Sequence, residues 1–512
     1  MSSLGARRWW VLGALVVTLL AVSLDLTALN VALPTLASSL HADTGDLQWI
    51  VAGYTLASAT LLLPAGLLGD RYGRKKLLLS GLLIFLIGSA SAAYVTSPGG
   101  LIAARTVMGA GAAVIIPLAL SVLLAVFPRE EQPKALAAWA AASFVGMPLG
   151  PIVAGYLLDH FWWGSIFFIN IPVAIVALIA GFVLIPESRS ETAPRTDFLG
   201  LLLSTGGLLA LVYGTIEQPE HGWSDPLVWG SMIVGAVALA AFLGWTRHTS
   251  SPLIDLSLFR DRRFLGGVVP STVMTFALFG VLFAVPQYFQ NVLGTDALGS
   301  GLRLLPLIGG LMVTARLSPR LVERFGMRTM IVAGLLILSA GVLVGTATSV
   351  GDGYGFVAVW EVIVGLGMGL LVTASMTLAM SALSAERGGT GSGLLMTIRL
   401  VGGALGSAVL GSLLSAGYRS HVDVSGLPDT AAIAVRRGVG GGVAVAERLH
   451  DPALLDSVRT AFVHGMDLVL AAGAGLLLVT AVVSAFLVPR REAVSARTGE
   501  DAGESAHEHV SA

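Results

Sequence analysis

Asp25, Arg105 and Glu361 each interrupt a long apolar stretch of the sequence. A charged side chain at bilayer depth is costly unless it is neutral, paired or hydrated, so such residues are functional candidates. At a rise of about 1.5 Å per residue, Asp25 and Arg105 lie at similar depths below the same outer surface of the membrane. Motion of Arg105 relative to Asp25 could therefore switch a proton on and off the carboxyl group. The alternative is a static salt bridge that orders two helices.

The roles of Glu361 and of two further charges in apolar stretches are open. Glu361 could attract cations or act as a second protonation site, and it could equally pair with Arg303, which lies near the same membrane surface. Arg399 lies several residues inside its stretch and could meet an anionic group or simply a helix end. Asp467 lies near the mouth of the last stretch and is interpreted as an interfacial residue.

The segment GDRYGRKK, residues 69–76, places four cations and one carboxylate between two apolar stretches. Gly73 allows a tight turn, and Asp70 could stabilise the start of the next helix or pair with an arginine of a neighbouring span. We predict a charge latch that holds this side of the molecule shut in one state. The latch comprises Asp70, Arg71, Gly73 and Arg74. The alternative is that the cations only orient the chain in the membrane.

The composition indicates a membrane protein rather than a soluble globule. Hydrophobic residues make up 55% of the 512 residues and charged residues only 12%, whereas soluble domains contain about 25% charged residues. A bilayer span needs about 20 mostly apolar residues. We therefore predict an all-α polytopic protein with fourteen transmembrane helices. The predicted spans are 9–31, 47–68, 76–96, 99–126, 135–158, 165–186, 198–217, 227–246, 265–289, 300–317, 328–348, 354–382, 391–416 and 463–488.

Lys and Arg residues concentrate in alternate connections between the predicted spans. The connections without either residue are 32–46, 97–98, 159–164, 218–226, 290–299 and 349–353. Because short cytoplasmic loops carry the excess of cations, we predict that both termini are cytoplasmic. The connection 417–462 is an exception with five arginines, and it is interpreted as an outer hairpin or an interfacial flap. The segment 490–512 is predicted to be a disordered cytoplasmic tail.

An internal repeat relates the two halves of the chain. With an offset of 253 residues, the segment 65–84 falls on 318–337. With an offset of 256, the matched pairs are Arg105 with Glu361, Gly109 with Gly365, Gly111 with Gly367, Gly146 with Gly402, Gly150 with Gly406 and Gly155 with Gly411. Parallel repeats of this kind build a transporter fold whose substrate site lies between the halves. We predict a six-helix bundle at 1–190, two linker helices at 191–250 and a second six-helix bundle at 251–489.

Four motifs resemble those of the major facilitator superfamily, and within it the fourteen-span drug:proton antiporters. GLLGDRYGRKK resembles the cytoplasmic loop signature, and LDLTALNVALP at 24–34 resembles the first-span signature of the fourteen-span branch. RTVMGAGAA, which starts at Arg105, is similar to the fourth-span motif. GMPLGPIVAG at 146–155 is similar to the fifth-span motif of antiporters, although Ala154 stands where a glycine is usual. The resemblance implies that Asp25 carries a proton whose movement is coupled to substrate release.

Small residues and a proline indicate a hinge in the fifth span. Glycines let helix backbones approach closely, and proline removes one backbone hydrogen bond and permits a kink. The hinge candidates are Gly146, Gly150, Pro151 and Gly155. A loose pocket for flat apolar molecules is inferred from the class of protein, since methionine surfaces repack around varied partners. Candidate lining residues are Tyr54, Phe144, Met147, Tyr288, Glu361, Met376 and Arg399.

The sequence excludes several sources of energy and several chemistries. None of the three lysines, Lys75, Lys76 and Lys134, belongs to a phosphate-binding G-x-x-x-x-G-K-[ST] loop. No H-E-x-x-H or G-x-S-x-G motif occurs, and the chain has no cysteine for a disulfide or a thiolate metal site. We therefore expect a transporter rather than an enzyme, with no metal and no cofactor, and with the proton gradient as its energy source.

We predict a proton-coupled antiporter in the cell membrane that exports amphipathic drugs or antibiotics, cationic or aromatic, from the cytoplasm. Its expected partners are a small-molecule substrate, protons and bilayer lipids, and we expect a monomer that binds no nucleic acid. The alternative is a dedicated exporter of an endogenous metabolite or self-made antibiotic. A membrane sensor would need a soluble signalling domain, and the sequence shows none.

Overall fold

The computed structural model describes residues 2–489 apart from 129–130, 132–134, 136–148, 186, 188–196, 250–251, 255 and 383–387. All regular structure in these residues is helical, and they contain no strand. Thirteen of the described helical segments are long and apolar enough to cross a membrane. The fifth predicted span is described as helix from residue 149 to 160. The chain is therefore the predicted all-α bundle of fourteen spans.

The helices follow the chain as two halves and a central pair. The first half contains α1 (Ser2–Leu40), α2 (Thr44–Tyr72), α3 (Arg74–Tyr94), α4 (Pro98–Val126), α5 (described at 149–160), α6 (Ser165–Phe168) and α7 (Asn170–Leu184). The central pair is α8 (Phe198–His221) and α9 (Pro226–Thr246). The second half contains α10 (Arg262–Gln287), α11 (Ala297–Arg303), α12 (Leu305–Phe325), α13 (Met327–Gly345), α14 (Tyr354–Ser381), α15 (Gly388–His421), α16 (Asp429–Arg437), α17 (Val439–Leu449) and α18 (Pro452–Leu487). A short 3-10 turn (Leu256–Arg260) precedes α10, and a π-helical turn (Tyr288–Val292) follows it.

Several helices begin at residues that satisfy the first free backbone N–H groups. Asp43 accepts a hydrogen bond from the backbone N–H of Asp46, and the side chain of Asp46 accepts one in return, which makes a capping box at the start of α2. Asp225 caps α9, whose first residue is Pro226, and Asp451 caps α18 in the same way. Because proline at the first position loses no helical hydrogen bond, these pairs fix where the helices start.

The two halves make the same tight turn at equivalent places. Gly73 joins α2 to α3 with a φ of 115°, and Gly326 joins α12 to α13 with a φ of 83°. Both angles lie in the left-handed region, which glycine adopts without the steric cost that a Cβ would bring. The glycines that the sequence repeat aligns therefore have the same structural role.

Helix packing follows the repeat as well. α4 packs on α2 and α3, and α14 packs on α12 and α13. A Cβ added at Gly109 would collide with the backbone of Tyr54, and one added at Gly365 would collide with the backbone of Leu307. Small residues of this kind let membrane helices approach to backbone contact. The predicted equivalence of Gly109 and Gly365 is confirmed by these matching contacts.

The halves meet most closely at one end of the bundle. We name the end where α1 begins and α18 ends the terminal face, and the opposite end, which carries α16 and α17, the hairpin face. Near the hairpin face, Gln290 donates a hydrogen bond to the backbone oxygen of Val31 at 2.7 Å. In the same region Ser412 donates to Gln48 at 3.3 Å, and Gly155 of α5 packs against α11. The α2 and α15 helices also pack against each other, and we call the surface along which the two halves meet the seam.

The central pair packs beside this seam. α8 contacts α9, α2 and α15, so it bridges one helix of each half. On α9, large apolar side chains such as Trp229, Val234 and Val237 are exposed. Exposed apolar side chains on a membrane helix face lipid, so α9 forms part of the outer wall of the bundle.

The structure extends or divides three predicted segments. The last helix, predicted at 463–488, begins at Pro452 because an aspartate caps it there. The connection predicted at 417–462 is mostly helical, since the end of α15, the pair α16 and α17, and the start of α18 occupy it. The tenth span, predicted as one segment at 300–317, is divided at Leu304 between α11 and α12. The predicted disordered tail lies outside the described residues.

Candidate functional site

Asp25 lies in the middle of α1 and is buried inside the first half. Only 4% of its surface is exposed, and Arg105 of α4 is 1% exposed. Nη1 of Arg105 donates a hydrogen bond directly to Oδ2 of Asp25. Such a charge-assisted bond is strong in a low-dielectric interior, and removing one partner leaves an unpaired buried charge. The structure thus brings together the two residues that the sequence places at similar depth.

Asn170 of α7 gives Asp25 a second partner. Its Nδ2 donates to Oδ1 of Asp25 at 3.2 Å and to Oγ of Ser89 in α3 at 3.2 Å. Ser89 in turn donates to the backbone oxygen of Phe167 at 2.8 Å. Both carboxylate oxygens of Asp25 are therefore hydrogen-bonded, each to a different helix. Sequence analysis missed Asn170 and Ser89, although Asn170 is a lone amide in an apolar run and could have been noticed for that reason.

Two aromatic rings enclose the guanidinium group of Arg105. Its Cζ lies 4.2 Å from the centroid of the Tyr54 ring and 5.9 Å from that of Phe167. Cations are attracted to aromatic faces, most strongly when both are desolvated. The hydroxyl of Tyr54 is buried and has no hydrogen-bond partner among the described residues. Tyr54, which was predicted to line a substrate pocket, is thus placed next to the ion pair and is itself buried.

A small cavity lies beside Asp25, between α1, α5 and α7. Its volume is about 10 Å³, and its lining includes Leu24, Asp25, Gly150, Val153 and Asn170. A cavity of this size is about the smallest that holds one water molecule, and such a water needs polar partners, which Asp25 and Asn170 offer. The wall on the α5 side is formed by the predicted hinge span. A shift of α5 against α1 would therefore change access to Asp25.

The predicted hinge residues contact both halves where the structure describes them. A Cβ added at Gly150 would collide with Thr27 of α1. The backbone of Pro151 lies against Gly301 of the second half, and Gly155 lies against the start of α11. Gly146 lies outside the described residues. The described part of α5 is therefore positioned to transmit motion between the ion pair and the second half.

The predicted latch lies at the terminal face between α2 and α3. Asp70 is in the last turn of α2, and its side chain lies outside the described part of the chain. Arg71 is exposed, and Arg74 begins α3. Glu187, which follows α7, accepts a hydrogen bond from the backbone N–H of Lys75 at 3.2 Å. Glu187 is a partner of this turn that sequence analysis did not identify, and it places a carboxylate at the positive end of α3.

Glu361 is enclosed in the second half without a hydrogen-bond partner. It is 0% exposed, and neither of its carboxyl oxygens bonds to a described residue. Arg303 does not pair with it in this structure. Instead, the guanidinium of Arg303 lies 5.3 Å from the ring of Tyr354 and 5.9 Å from the ring of Phe289. The predicted alternative of a Glu361–Arg303 pair is therefore wrong for this conformation.

The remaining predicted pocket residues are not brought together. The hydroxyl of Tyr288 donates to the backbone oxygen of Ser349 near the hairpin face, and its ring is buried. Met376 lies in the half of α14 that is nearer the terminal face, and its side chain is 43% exposed. Arg399 is half-buried in α15, and its Nε donates to Oγ1 of Thr275 at 3.4 Å. The other two predicted residues, Phe144 and Met147, lie outside the described residues.

Comparison with known proteins identifies the family. The family model for the Major Facilitator Superfamily matches residues 15–407, which is most of the chain. The chain belongs to the major facilitator superfamily. This membership confirms the resemblance that the four sequence motifs indicated, and it makes the chain a transporter of small molecules.

Two relatives within the superfamily match this transporter over nearly its whole length. It is 34% identical to the tetracenomycin C resistance and export protein of Streptomyces glaucescens over 498 residues, which cover 95% of this chain and 92% of that protein. It is 32% identical to the multidrug efflux pump LfrA of Mycolicibacterium smegmatis over 484 residues, which cover 93% and 95% of the two chains.

A solved structure shows the same fold. It is the crystal structure of a bacterial homolog to the human lysosomal transporter Spinster, in an inward-facing and unoccupied conformation. The TM-score is 0.67, the sequence identity is 16%, and the match covers 94% of this chain and 97% of the other. In this chain the ion pair between Asp25 and Arg105 lies inside the first half. A change in how the two halves pack against each other can therefore alter its surroundings.

Proposed function

We propose that this transporter is a monomeric proton antiporter that exports amphipathic drugs or antibiotics. The observation that carries the proposal is the buried Asp25, which receives hydrogen bonds from Arg105 and Asn170 inside an otherwise apolar helix. A carboxylate at this depth is a functional group by default. The relatives support export of bioactive compounds, since one is described as an antibiotic export protein and another as a multidrug efflux pump.

Proton binding follows from the contacts of Asp25. While Arg105 and Asn170 donate to it, the carboxylate of Asp25 has a cation and an amide as hydrogen-bond partners. If the halves shift so that Arg105 moves away, an ionised Asp25 would be a buried charge without a cation, and uptake of a proton removes that cost. Protonation of Asp25 is therefore linked to the packing of α1 against α4. Substrate that prefers one packing would be exchanged for a proton.

The direction of export rests on the distribution of cations. The connections at the terminal face carry the clusters of Lys and Arg, including Arg71 and Lys75, and this distribution supports a cytoplasmic terminal face and a location in the cell membrane. In the described part of the chain, several hydrogen bonds join the halves near the hairpin face, which would be the outer side. This arrangement supports a conformation that accepts substrate from the cytoplasm.

The proton gradient supplies enough energy for useful export. Moving one charge across 100 mV is worth about 2.3 kcal/mol, which supports a gradient of about 40-fold for a neutral substrate. A monovalent cation exchanged for one proton gains nothing from the voltage. Strong expulsion of cations would therefore need a second titrating acid, and Glu361 is our candidate because it is buried without a partner.

The proposal is tested with Asp25→Asn in everted membrane vesicles. The variant keeps the shape of the side chain and removes its ability to exchange a proton, so we expect it to insert normally and to lose proton-driven dye export. Asp225→Asn is the matched control, because it makes the same change at the start of α9, where asparagine caps a helix as well as aspartate does. Full export by Asp25→Asn would refute the assignment.

A second candidate is the dedicated export of one metabolite. The tetracenomycin C export protein, which matches 95% of this chain, favours this alternative. The two candidates differ in breadth. Resistance of cells that express the chain to many unrelated dyes, biocides and antibiotics would support multidrug export, whereas resistance to a single compound class would support the dedicated exporter.

A further inference from the structure

The accessible charges at membrane depth in the described helices are mainly positive. Asp25 and Arg105 neutralise each other, and Glu361 is 0% exposed. Two arginines of the second half, Arg316 and Arg399, remain accessible and form no ion pair with a described residue. A molecule that enters between the halves would therefore meet guanidinium groups rather than free carboxylates.

Arg399 lies where α15 meets the first half. Its hydrogen bond to Thr275 joins it to α10, and no carboxylate among the described residues approaches it. One turn away on the same helix, Leu400 and Met396 pack with Leu62 of α2. Arg399 thus lies at the border between the part of α15 that faces α10 and the part that faces the first half. A half-buried cation in this place has unused hydrogen-bond donors.

Arg316 lies on a stripe of α11 and α12 that faces α5. The stripe runs through Gly301, Leu305, Gly309, Met312 and Arg316, which share one helix face. Gly301 is buried against the backbone of α5, but Leu305 is 37% exposed and Met312 is 49% exposed. A Cβ added at Gly309 would meet no atom within 4 Å. The described part of this stripe is therefore uncovered from Leu305 toward the terminal face.

The internal repeat gives independent support for this orientation of Arg316. The offset of 253 residues places Arg316 on Leu63 of α2. Leu63 faces the other half, because a Cβ added at Gly393 of α15 would lie 3.3 Å from it. By the same geometry, Arg316 faces the first half rather than lipid. An arginine at bilayer depth on a lipid face costs about 2.5–3.5 kcal/mol, so a hydrated seam is the favourable place for it.

We propose that Arg316 and Arg399 select cargo that carries an acidic group, such as an aromatic phenol or carboxylic acid in its ionised form. The inference rests on the proposed export function and adds the chemical class of the cargo. Both arginines lie about 15 Å from the terminal ends of their helices, and the neighbours of Arg399 pack against α2. Guanidinium groups bind carboxylates and related oxyanions through paired, charge-assisted hydrogen bonds. Met312 and Met396 offer adaptable apolar surface for the ring system of the same molecule.

The test compares two dyes with related ring systems and opposite charge. Fluorescein is the anionic probe and rhodamine 6G is the cationic probe, and the dissociation constant of each is measured by fluorescence anisotropy with the purified full chain. We expect Arg399→Gln and Arg316→Gln each to weaken fluorescein binding about tenfold or more, which corresponds to about 1.4 kcal/mol. Rhodamine 6G binding should change by less than about threefold or become tighter, because each variant removes a positive charge that repels the cationic dye.

Matched variants separate charge from packing. Arg399→Lys keeps the charge and should retain most fluorescein binding. Arg419→Gln removes an arginine from the same helix, where it bonds to the backbone oxygen of Pro219, and should leave both dyes unaffected. Equal weakening of both dyes by Arg399→Gln, unchanged fluorescein binding in both glutamine variants, or a wild-type chain that binds rhodamine 6G and not fluorescein would each overturn the proposal.

A lipid headgroup could offer the same anionic chemistry as the cargo. Binding is therefore repeated in nanodiscs of phosphatidylcholine alone and of phosphatidylcholine with phosphatidylglycerol. Fluorescein binding that depends on Arg399 in both membranes supports the cargo assignment, and loss of that binding whenever phosphatidylglycerol is present would overturn it in favour of lipid. Proton-driven fluorescein uptake into everted vesicles is read separately. Its absence would refute the export function, while the binding comparison would still decide the role of the arginines.

Discussion

The neutral neighbours of Asp25 complete the hydrogen bonding of its carboxylate group. Arg105 balances the charge, but Asn170 and Ser89 complete a chain of hydrogen bonds that links α1, α3 and α7. A buried carboxylate needs most of its lone pairs satisfied, so these neutral donors matter for the ionised state. The ion pair is therefore part of a hydrogen-bonded group of four residues rather than a salt bridge alone.

Sequence reasoning found the charged members of this group and missed the neutral ones. Asp25 and Arg105 are recognisable because a charge in an apolar span is rare. Asn170 and Ser89 carry no charge, and polar neutral residues occur throughout membrane helices, so only their packing shows their role. The same limit applies to Glu361, for which the sequence offered Arg303 as a partner and the structure shows Arg303 stacked on aromatic rings.

Glu361→Gln tests the second acid. Glu361 is fully buried with both oxygens unpaired, so a neutral amide of the same shape should be tolerated by the fold. If Glu361 takes up a proton to drive cation export, the variant should export a cationic dye several-fold more slowly and a neutral substrate at nearly the normal rate. Initial rates in everted vesicles measure this. Equal effects on both substrates would dismiss the cation-linked role.

Glycine placement controls how closely the helices pack. The repeat aligned Gly109 with Gly365 from sequence alone, and the structure shows both in contact with a neighbouring backbone. Helix ends were also predictable, because Asp43 and Asp225 are strong capping residues. Sequence analysis missed the break at Leu304, although Pro306 signals it, because proline favours the first turn of a helix and α12 begins at Leu305.

Gly109→Ala should destabilise the first half. The added methyl group would collide with the backbone of Tyr54, which cannot move as a flexible side chain would. We expect a lower thermal unfolding midpoint in detergent, with a loss of about 1–3 kcal/mol as for overpacking in other cores. Gly206→Ala in α8 is the control, because a Cβ there meets no atom within 4 Å and alanine favours helix. Equal midpoints for the two variants would contradict this account of α4 packing.

At the scale of the whole molecule, the repeat and the charge distribution made the fold predictable. Two six-helix halves with a central pair follow from the aligned segments and from the alternation of cationic connections. How the halves sit against each other does not follow, because several hydrogen bonds across the seam are made by neutral side chains, as from Gln290 to the backbone oxygen of Val31. The hydrogen bond between Ser412 and Gln48 joins two neutral side chains, so no charge pattern in a single sequence reveals it.

A cross-link at the hairpin face tests whether the halves must separate there. Gln48 and Gly411 approach across the seam, since a Cβ added at Gly411 would lie 2.8 Å from Cγ of Gln48. The chain has no cysteine, so the double variant Gln48→Cys with Gly411→Cys contains a single possible disulfide. We expect oxidation to stop export and reduction to restore it. The two single variants control for the substitutions. Full export by the fully oxidised double variant would show that the halves need not separate at the hairpin face.

Asp25 is proposed to exchange a proton when substrate binds. Proton release on substrate addition is measured with the purified chain in weakly buffered detergent and followed with a pH-indicator dye. The wild-type chain should release protons in proportion to bound substrate, and Asp25→Asn should bind substrate without releasing them. Equal proton release by the two proteins would show that Asp25 is not the group that exchanges the proton.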